Sequence, residues 1–258
     1  MSWETLLLER ADGIVTVTLN RPERKNAIND RMWDELLAVF SDVAGRADDR
    51  VLVLTGAGGE FCSGADMSDA AGRDSHALAR VRHVGDVAAA LHRIPQPTIA
   101  KVRGIAAGAG MNLALLCDLL VAGDTARFSE IFARRGLTID FGGSFALPRR
   151  VGLHRAKELA LLTDIIDADE AERIGLVNRV VPDGDLDEFV DGWAARLAAG
   201  PPIALAQTKR LLDDGIDRTL HEALDAEGAA QTINFGTTDT AEAIRAFLDK
   251  RAPVFQGR

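Results

Sequence analysis

"GIAAGAGMNLALLCD", Gly104 to Asp118, decides how this chain is to be read. Its first seven positions hold three glycines and three alanines, and an apolar, helix-like run follows. Residues this small at the mouth of a helix have two explanations. Either another backbone passes close by, or a ligand approaches the main chain itself. "TIAKVRG" precedes the stretch and "LLVAG" follows it, and both read as strands. The unit is therefore strand, turn, short buried helix "GMNLALLCD", strand.

The same alternation continues on both sides. "ETLLLERADGIVTVTLNRP" reads as a hairpin turning at Asp12-Gly13. Ile28, Met32, Leu36, Val39, Phe40 and Val43 recur at helical spacing, and Gly45 closes that segment. "VLVLTG" (Val51 to Gly56) is a short buried strand. Residues 56–80 are loop-rich, and residues 80–93 form a helix stopped by "IPQP". Beyond Arg150, "AKELALLTD" and "DADEAERIG" read as two short helices, "LVNRVVP" as a strand, and residues 185–249 as long helices. Mixed elements first and helices last predict an α/β core over residues 1–200. A helical region over 201–258 follows, with the boundary at Gly200-Pro201-Pro202.

Composition narrows the function. The chain has 258 residues, 47% hydrophobic and 27% charged, as expected of a single globular domain. Its net charge of −9 argues against a nucleic-acid partner, which needs a basic surface, but leaves room for a local site for a small phosphorylated ligand. Cys62 and Cys117 are isolated among apolar or small residues and read as buried free thiols; with scattered histidines, no metal site is expected. No apolar run reaches membrane-spanning length, and the N-terminus lacks a basic leader. No membrane partner and a cytoplasmic location are therefore expected. "GAGMNL" has two glycines of a dinucleotide fingerprint, Gly108 and Gly110, but Leu113 stands where the third must be small.

A second small-residue turn, "EFCSGADM" (Glu60 to Met67), also follows a strand and a loop. Two such turns can aim two backbone N–H groups at one oxygen, the layout of an oxyanion hole. Here "RPERKNAIN", "FCSGADM", "GIAAGAGMNLALLCDLLVAG", "RRGLTIDFGGSFALPRRVG", "GLVNRVV" and "AFLDKRAPVFQGR" resemble the enoyl-CoA hydratase/isomerase (crotonase) superfamily, in that family's order over nearly the whole chain. The resemblance implies a superhelix of β-β-α units with a helical C-terminal extension. It also implies acyl-CoA thioester substrates and a homotrimer or a hexamer of two trimers. Coenzyme A would enter as part of the substrate, with no separate cofactor.

By position in those motifs, Ala65 and Ala109 supply the oxyanion N–H groups. Lys25, Ala27, Ser63, Ala65 and Met67 match coenzyme A contacts, with Asp66 structural, and Phe247 and Lys250 complete that site, often from a neighbouring subunit. The family's hydratases place two glutamates where this chain has Asn112 and Phe132, and neither can exchange a proton. Glu130, two residues from the second position, is expected to face solvent or to sit in a salt bridge. His83 is expected to lie on a helix face. Asp140, in "GLTIDFGGSF", matches an aspartate that does chemistry in isomerase and dehalogenase branches, although as a residue it could equally cap the following helix. The motifs look most like phenylacetate-type isomerases. The expected activity is an acyl-CoA isomerase with Asp140 as the proton carrier. The alternatives are a hydratase using an unusual acid, Glu130 or Asp140, and a non-catalytic acyl-CoA-binding protein.

Overall fold

The computed structural model describes residues 3–68 and 76–258. It opens with the hairpin of β1 (Leu6–Ala11) and β2 (Ile14–Leu19). Asp12 and Gly13 turn it at φ 51° and 79°, the paired left-handed conformation that matches the twist of the two strands. α1 (Asp30–Ala44) follows, capped by the Asn29 side chain, which accepts from the Met32 N–H. Its buried stripe of Met32, Leu36, Val39, Phe40 and Val43 packs into the core as the spacing predicts. Ile28 lies ahead of the helix, bridged to Ala65.

The chain continues through β3 (Val51–Gly56), α2 (Ala77–His92), β4 (Thr98–Val102), β5 (Ile105–Ala107), α3 (Ala109–Leu115), β6 (Leu119–Gly123) and β7 (Arg127–Ser129). Then come α4 (Gly143–Leu162), β8 (Ile166–Asp167), α5 (Ala168–Arg173) and β9 (Arg179–Val181). Four helices end the chain: α6 (Leu186–Ala198), α7 (Pro202–Gly215), α8 (Leu220–Phe235) and α9 (Thr238–Asp249). The main sheet runs β1-β2-β3-β4-β6-β9, parallel from β2 onward, and a second sheet runs β5-β7-β8. This is the superhelical β-β-α core with a helical C-terminal region.

Three details differ from the sequence reading. "TIAKVRG" forms β4 as read, but Gly104, at φ 56°, then turns the chain from the main sheet into β5, a strand of the second sheet that was not expected. β7 and β8 were not expected, since strands of three and two residues are too short to show a period. "AKELALLTD" is the end of the longer α4, which is broken at Gly152 by φ 75°, ψ 160°. Among the described residues, no helix is long and apolar enough to cross a membrane.

The close approach anticipated at Gly104–Gly110 is real at Gly104, where a methyl group would lie 2.5 Å from the Gly59 carbonyl oxygen, and at Gly110. A methyl group on Gly110 would lie 2.4 Å from the Cys62 carbonyl oxygen and 2.7 Å from its sulfur. Gly85, inside α2, has nothing within 4 Å. Gly110→Ala should therefore destabilise the fold by about 1–3 kcal/mol or more, whereas Gly85→Ala should be neutral or stabilising by up to about 1 kcal/mol. Thermal unfolding of the two variants checks this, and equal melting temperatures would show that α3 does not depend on the contact.

Candidate active site

β5 has a partner on each edge. On one side it pairs in parallel with β7, Ala107 opposite Ser129. On the other, Cys62 N–H donates to Ile105 O and Ala107 N–H donates to Cys62 O, each at 2.9 Å. The three chains run parallel and end together, so the residues just beyond them are neighbours: Gly64-Ala65, Gly108-Ala109 and Glu130. Gly64 and Gly108 make the two turns at φ 101° and 52°, a region that side chains disfavour. A methyl group on Gly64 would lie 2.8 Å from Ala107 O and 3.7 Å from Ala109 N, so the two turns touch. Neither the Ala65 nor the Ala109 N–H has an acceptor among the described residues. Arg150 takes the carbonyls at the other end of α3, donating to Leu115 O at 3.0 Å and Cys117 O at 2.7 Å.

Three polar residues gather one helical turn into α3. The Asn112 amide nitrogen donates to the Asp140 carbonyl at 3.0 Å and stands 3.5 Å from Glu130 Oε2. Gly143 makes room for that amide, since a methyl group there would lie 2.3 Å from its nitrogen. Phe141 holds the loop at φ 48°, strained for a residue with a side chain, while its ring packs 5.2 Å from Trp33. Asp140 does not cap α4. Gly142 is the N-cap residue, and Asp140 contributes its carbonyl to Gly143 N–H, which leaves its carboxyl free.

Glu130 overturns its sequence reading. It is 1% exposed and in no ion pair with a described residue, because the β5–β7 register turns it inward beside Gly108. Burial pushes its carboxyl up to about 8; the Asn112 amide opposes that shift and the neighbouring Asp140 adds to it. Asp140 stays in contact with solvent, yet lost hydration around its carboxyl pushes it up to about 6. At neutral pH the pair is one carboxylic acid and one carboxylate. The signal for Glu130 in the sequence was only its place two residues from Phe132, which means nothing until the register is known. Phe132 is buried, with its ring near Gly108.

The other predicted residues fall into two groups. Ser63 N–H donates to Lys25 O at 3.0 Å and Ile28 N–H to Gly64 O at 2.9 Å, so Lys25, Ala27, Ser63, Ala65 and Met67 share one rim. Buried Asn26 pins that rim to the Ala57 and Glu60 carbonyls. Asp66 is held by Arg21 at 2.9 Å and by Ser68, whose bonds keep its carboxyl down at about 2. Lys25 pairs with Glu60 at 2.9 Å. Phe247 and Lys250, at the end of α9, make no hydrogen bond or ion pair to that rim, and Phe247 is 82% exposed. His83 sits on α2 with Nε2 2.8 Å from Asp34. Cys62 and Cys117 are buried free thiols, each pushed up to about 12 by burial, and the described residues hold no cluster fit for a metal.

Residues 9–258 match the family described as enoyl-CoA hydratase/isomerase. The chain is 40% identical to a Rhodobacter capsulatus protein named "Probable enoyl-CoA hydratase", over 100% of both. It is 36% identical to the 1,2-epoxyphenylacetyl-CoA isomerase of Escherichia coli, over 99% of each. The crystal structure of an enoyl-CoA hydratase from Bacillus anthracis superposes with a TM-score of 0.95 at 33% identity, over 99% of this chain and 100% of the other.

The buried acid has a consequence for stability. Folded, Glu130 keeps its proton to about pH 8; unfolded, it loses it near the ordinary value of about 4.3. Between those limits the folded state holds a proton that the unfolded state has released, so stability falls as pH rises, by up to about 1.4 kcal/mol per pH unit. Asp140, which is exposed, adds a smaller, solvent-screened loss, and only up to about pH 6. Glu130→Gln should therefore flatten the profile between pH 6 and 8, measured as melting temperature against pH. A variant that still loses stability there would place the titrating group elsewhere.

Proposed function

The chain belongs to the enoyl-CoA hydratase/isomerase family, and we propose that within it the chain is an acyl-CoA isomerase in which Asp140 carries a proton between carbons of a thioester enolate. The thioester oxygen sits between the N–H groups of Ala65 and Ala109. Taking a proton from the adjacent carbon puts negative charge on that oxygen, and each preorganised donor is typically worth about 3–4 kcal/mol to the transition state. Asp140 takes the proton as a carboxylate and returns it at another carbon. A carboxyl raised to about 6 is ionised at neutral pH yet more basic than an ordinary aspartate, which suits it to both steps.

One observation carries this reading. Asp140 carries a solvent-reached carboxyl on the loop that Asn112 holds, one helical turn beyond Ala109, while Asn112 and Phe132 occupy the positions where the family resemblance implies hydration glutamates. The coenzyme A portion would lie along the rim of Lys25, Ala27, Ser63 and Met67. A hydratase is the second reading, supported by Glu130, which offers a second carboxyl next to Asp140. A protein that binds acyl-CoA without reacting is separated from both by its lack of turnover.

Heavy water decides among them. Incubated with enoyl-CoA thioesters in D2O, an isomerase takes up deuterium without the mass gain of added water, as read by mass spectrometry. Asp140→Asn should lower isomerisation by about 10²–10⁴-fold with little change in affinity. The wild-type kcat/KM should fall as pH drops below about 6, where Asp140 protonates. Fast hydration of crotonyl-CoA that survives Asp140→Asn would overturn the assignment.

We further propose a homotrimer or a hexamer of two trimers, with Phe247 and Lys250 completing a neighbour's site. Leu212, Ile216, Leu220, Phe235 and Phe247 of the C-terminal segment are each more than 60% exposed in the single chain, more apolar surface than a monomer usually leaves to water. Light scattering after size exclusion should give the mass of three or six chains, and a stable monomer with full acyl-CoA affinity would refute this assembly.

A further inference from the structure

We infer that Glu60 is a positioning residue, a strut that holds the Lys25 ammonium at a fixed distance from strand β5, an inference that rests on the acyl-CoA reading above. Its two carboxylate oxygens serve different parts of the chain. Oε1 accepts from Lys25 Nζ at 2.9 Å, and Oε2 accepts from the Ile105 N–H at 2.6 Å. Burial would raise this carboxyl, yet the Lys25 ammonium and the Ile105 N–H hold it below its ordinary value, so it is ionised at neutral pH. The Lys25 side chain is 58% exposed, and an ammonium has donors to spare beyond the one that Glu60 takes, so it can still meet an anionic ligand.

The bond to Ile105 is one that a regular ladder would not make. Cys62 N–H donates to Ile105 O, and Ala107 N–H donates to Cys62 O. Continued two residues back, the same parallel pattern would join Ile105 N–H to the Glu60 carbonyl. That carbonyl is taken by the Asn26 amide at 2.6 Å, and the side chain of the same glutamate serves Ile105 in its place. Gly104 admits the side chain, since a methyl group there would collide with Oε2. Lys25 and Asn26 hold left-handed backbone at φ 50° and 54°, which residues with a side chain disfavour. Bonds from Glu60 to both of these residues keep the loop in that shape.

The strut joins the two places where the substrate is gripped. The rim is already bonded to the first turn, through Ser63 N–H to Lys25 O and Ile28 N–H to Gly64 O. Glu60 adds a tie from the Lys25 side chain to β5, and β5 runs through Ala107 into Gly108 and Ala109, the second turn. In the acyl-CoA reading the nucleotide end lies at Lys25, and the thioester oxygen lies at Ala65 and Ala109. With that spacing fixed, binding energy gained at the nucleotide helps to place the thioester. A substrate cut short of the nucleotide then loses kcat as well as affinity. Without the strut, Lys25 follows the ligand wherever it sits, and the nucleotide adds affinity alone.

Isomerisation of but-3-enoyl-CoA and of but-3-enoyl-pantetheine, which lacks the nucleotide, tests this through kcat and KM measured separately. In the wild type, kcat for the coenzyme A thioester should exceed that for the pantetheine thioester by about tenfold or more. Glu60→Gln keeps an oxygen for the Ile105 N–H but no charge for Lys25, and it should bring that ratio close to unity. Lys25→Met should do the same, and the double variant should go no further than either single one. If Glu60→Gln does not fold, the kcat ratio of Lys25→Met decides, because loss of a ligand contact alone would move KM. A ratio that Glu60→Gln leaves unchanged, with kcat lowered for both thioesters alike, would mark a residue that only supports the fold and would overturn the strut. An effect on KM alone, or a wild-type ratio already close to unity, would overturn it too and leave the acyl-CoA reading standing. If the wild type turns over neither thioester, that reading falls and the strut falls with it.

Discussion

The structure depends on the hydrogen bonding of one three-residue strand. Ile105–Ala107 is bonded on both edges, to Arg127–Ser129 on one side and to the chain around Cys62 on the other. Three segments far apart in sequence thereby end at one level. A peptide N–H or C=O buried between neighbouring chains has few alternative partners, so the register resists slipping. This ladder brings together a buried carboxyl and two N–H groups that have no acceptor among the described residues. Small residues follow from the same constraint, for a side chain at Gly64 or Gly110 would strike the adjoining backbone or Cys62.

The electrostatics of the site come from what is missing around it. No lysine or arginine among the described residues pairs with Glu130 or Asp140, so no cation offsets the effect of burial on either. Their environments still differ. Asp140 meets solvent at the mouth, while Glu130 is enclosed and has Asp140 as a like-charged neighbour. The separation of the two carboxyls into an acid and a base follows from that difference, and Asn112 lies between them holding the loop that carries Asp140. On the rim, by contrast, Glu60 and Asp66 each have a cation, and both carboxyls are held below their ordinary values.

The C-terminal helices obey a different rule. α7 and α8 bury no residue within the chain, and α9 buries only Asp239 and Ala246. Their local structure is well specified even so. Thr219 and Glu222 form a reciprocal capping box at the start of α8, and Thr237 caps α9. Backbone caps and side-chain spacing can fix a helix without deciding what its apolar face touches.

The sequence by itself determined the hairpin at Asp12-Gly13, the stripe of α1, both small-residue turns and the family, because each is written in local spacing or in contiguous motifs. It also determined that Asn112 and Phe132 cannot exchange a proton, which is a property of residue type. Tertiary structure decided the rest. Glu130 looked like a surface charge because a strand as short as β7 carries no period, and only its pairing with β5 turns the side chain inward. Asp140 could also be read as a helix cap, and only the fold shows its carbonyl used and its carboxyl without a hydrogen bond among the described residues. A side chain's chemistry is local, but its hydration is set by what the rest of the chain packs around it, and hydration is what separates an ordinary glutamate from a buried acid.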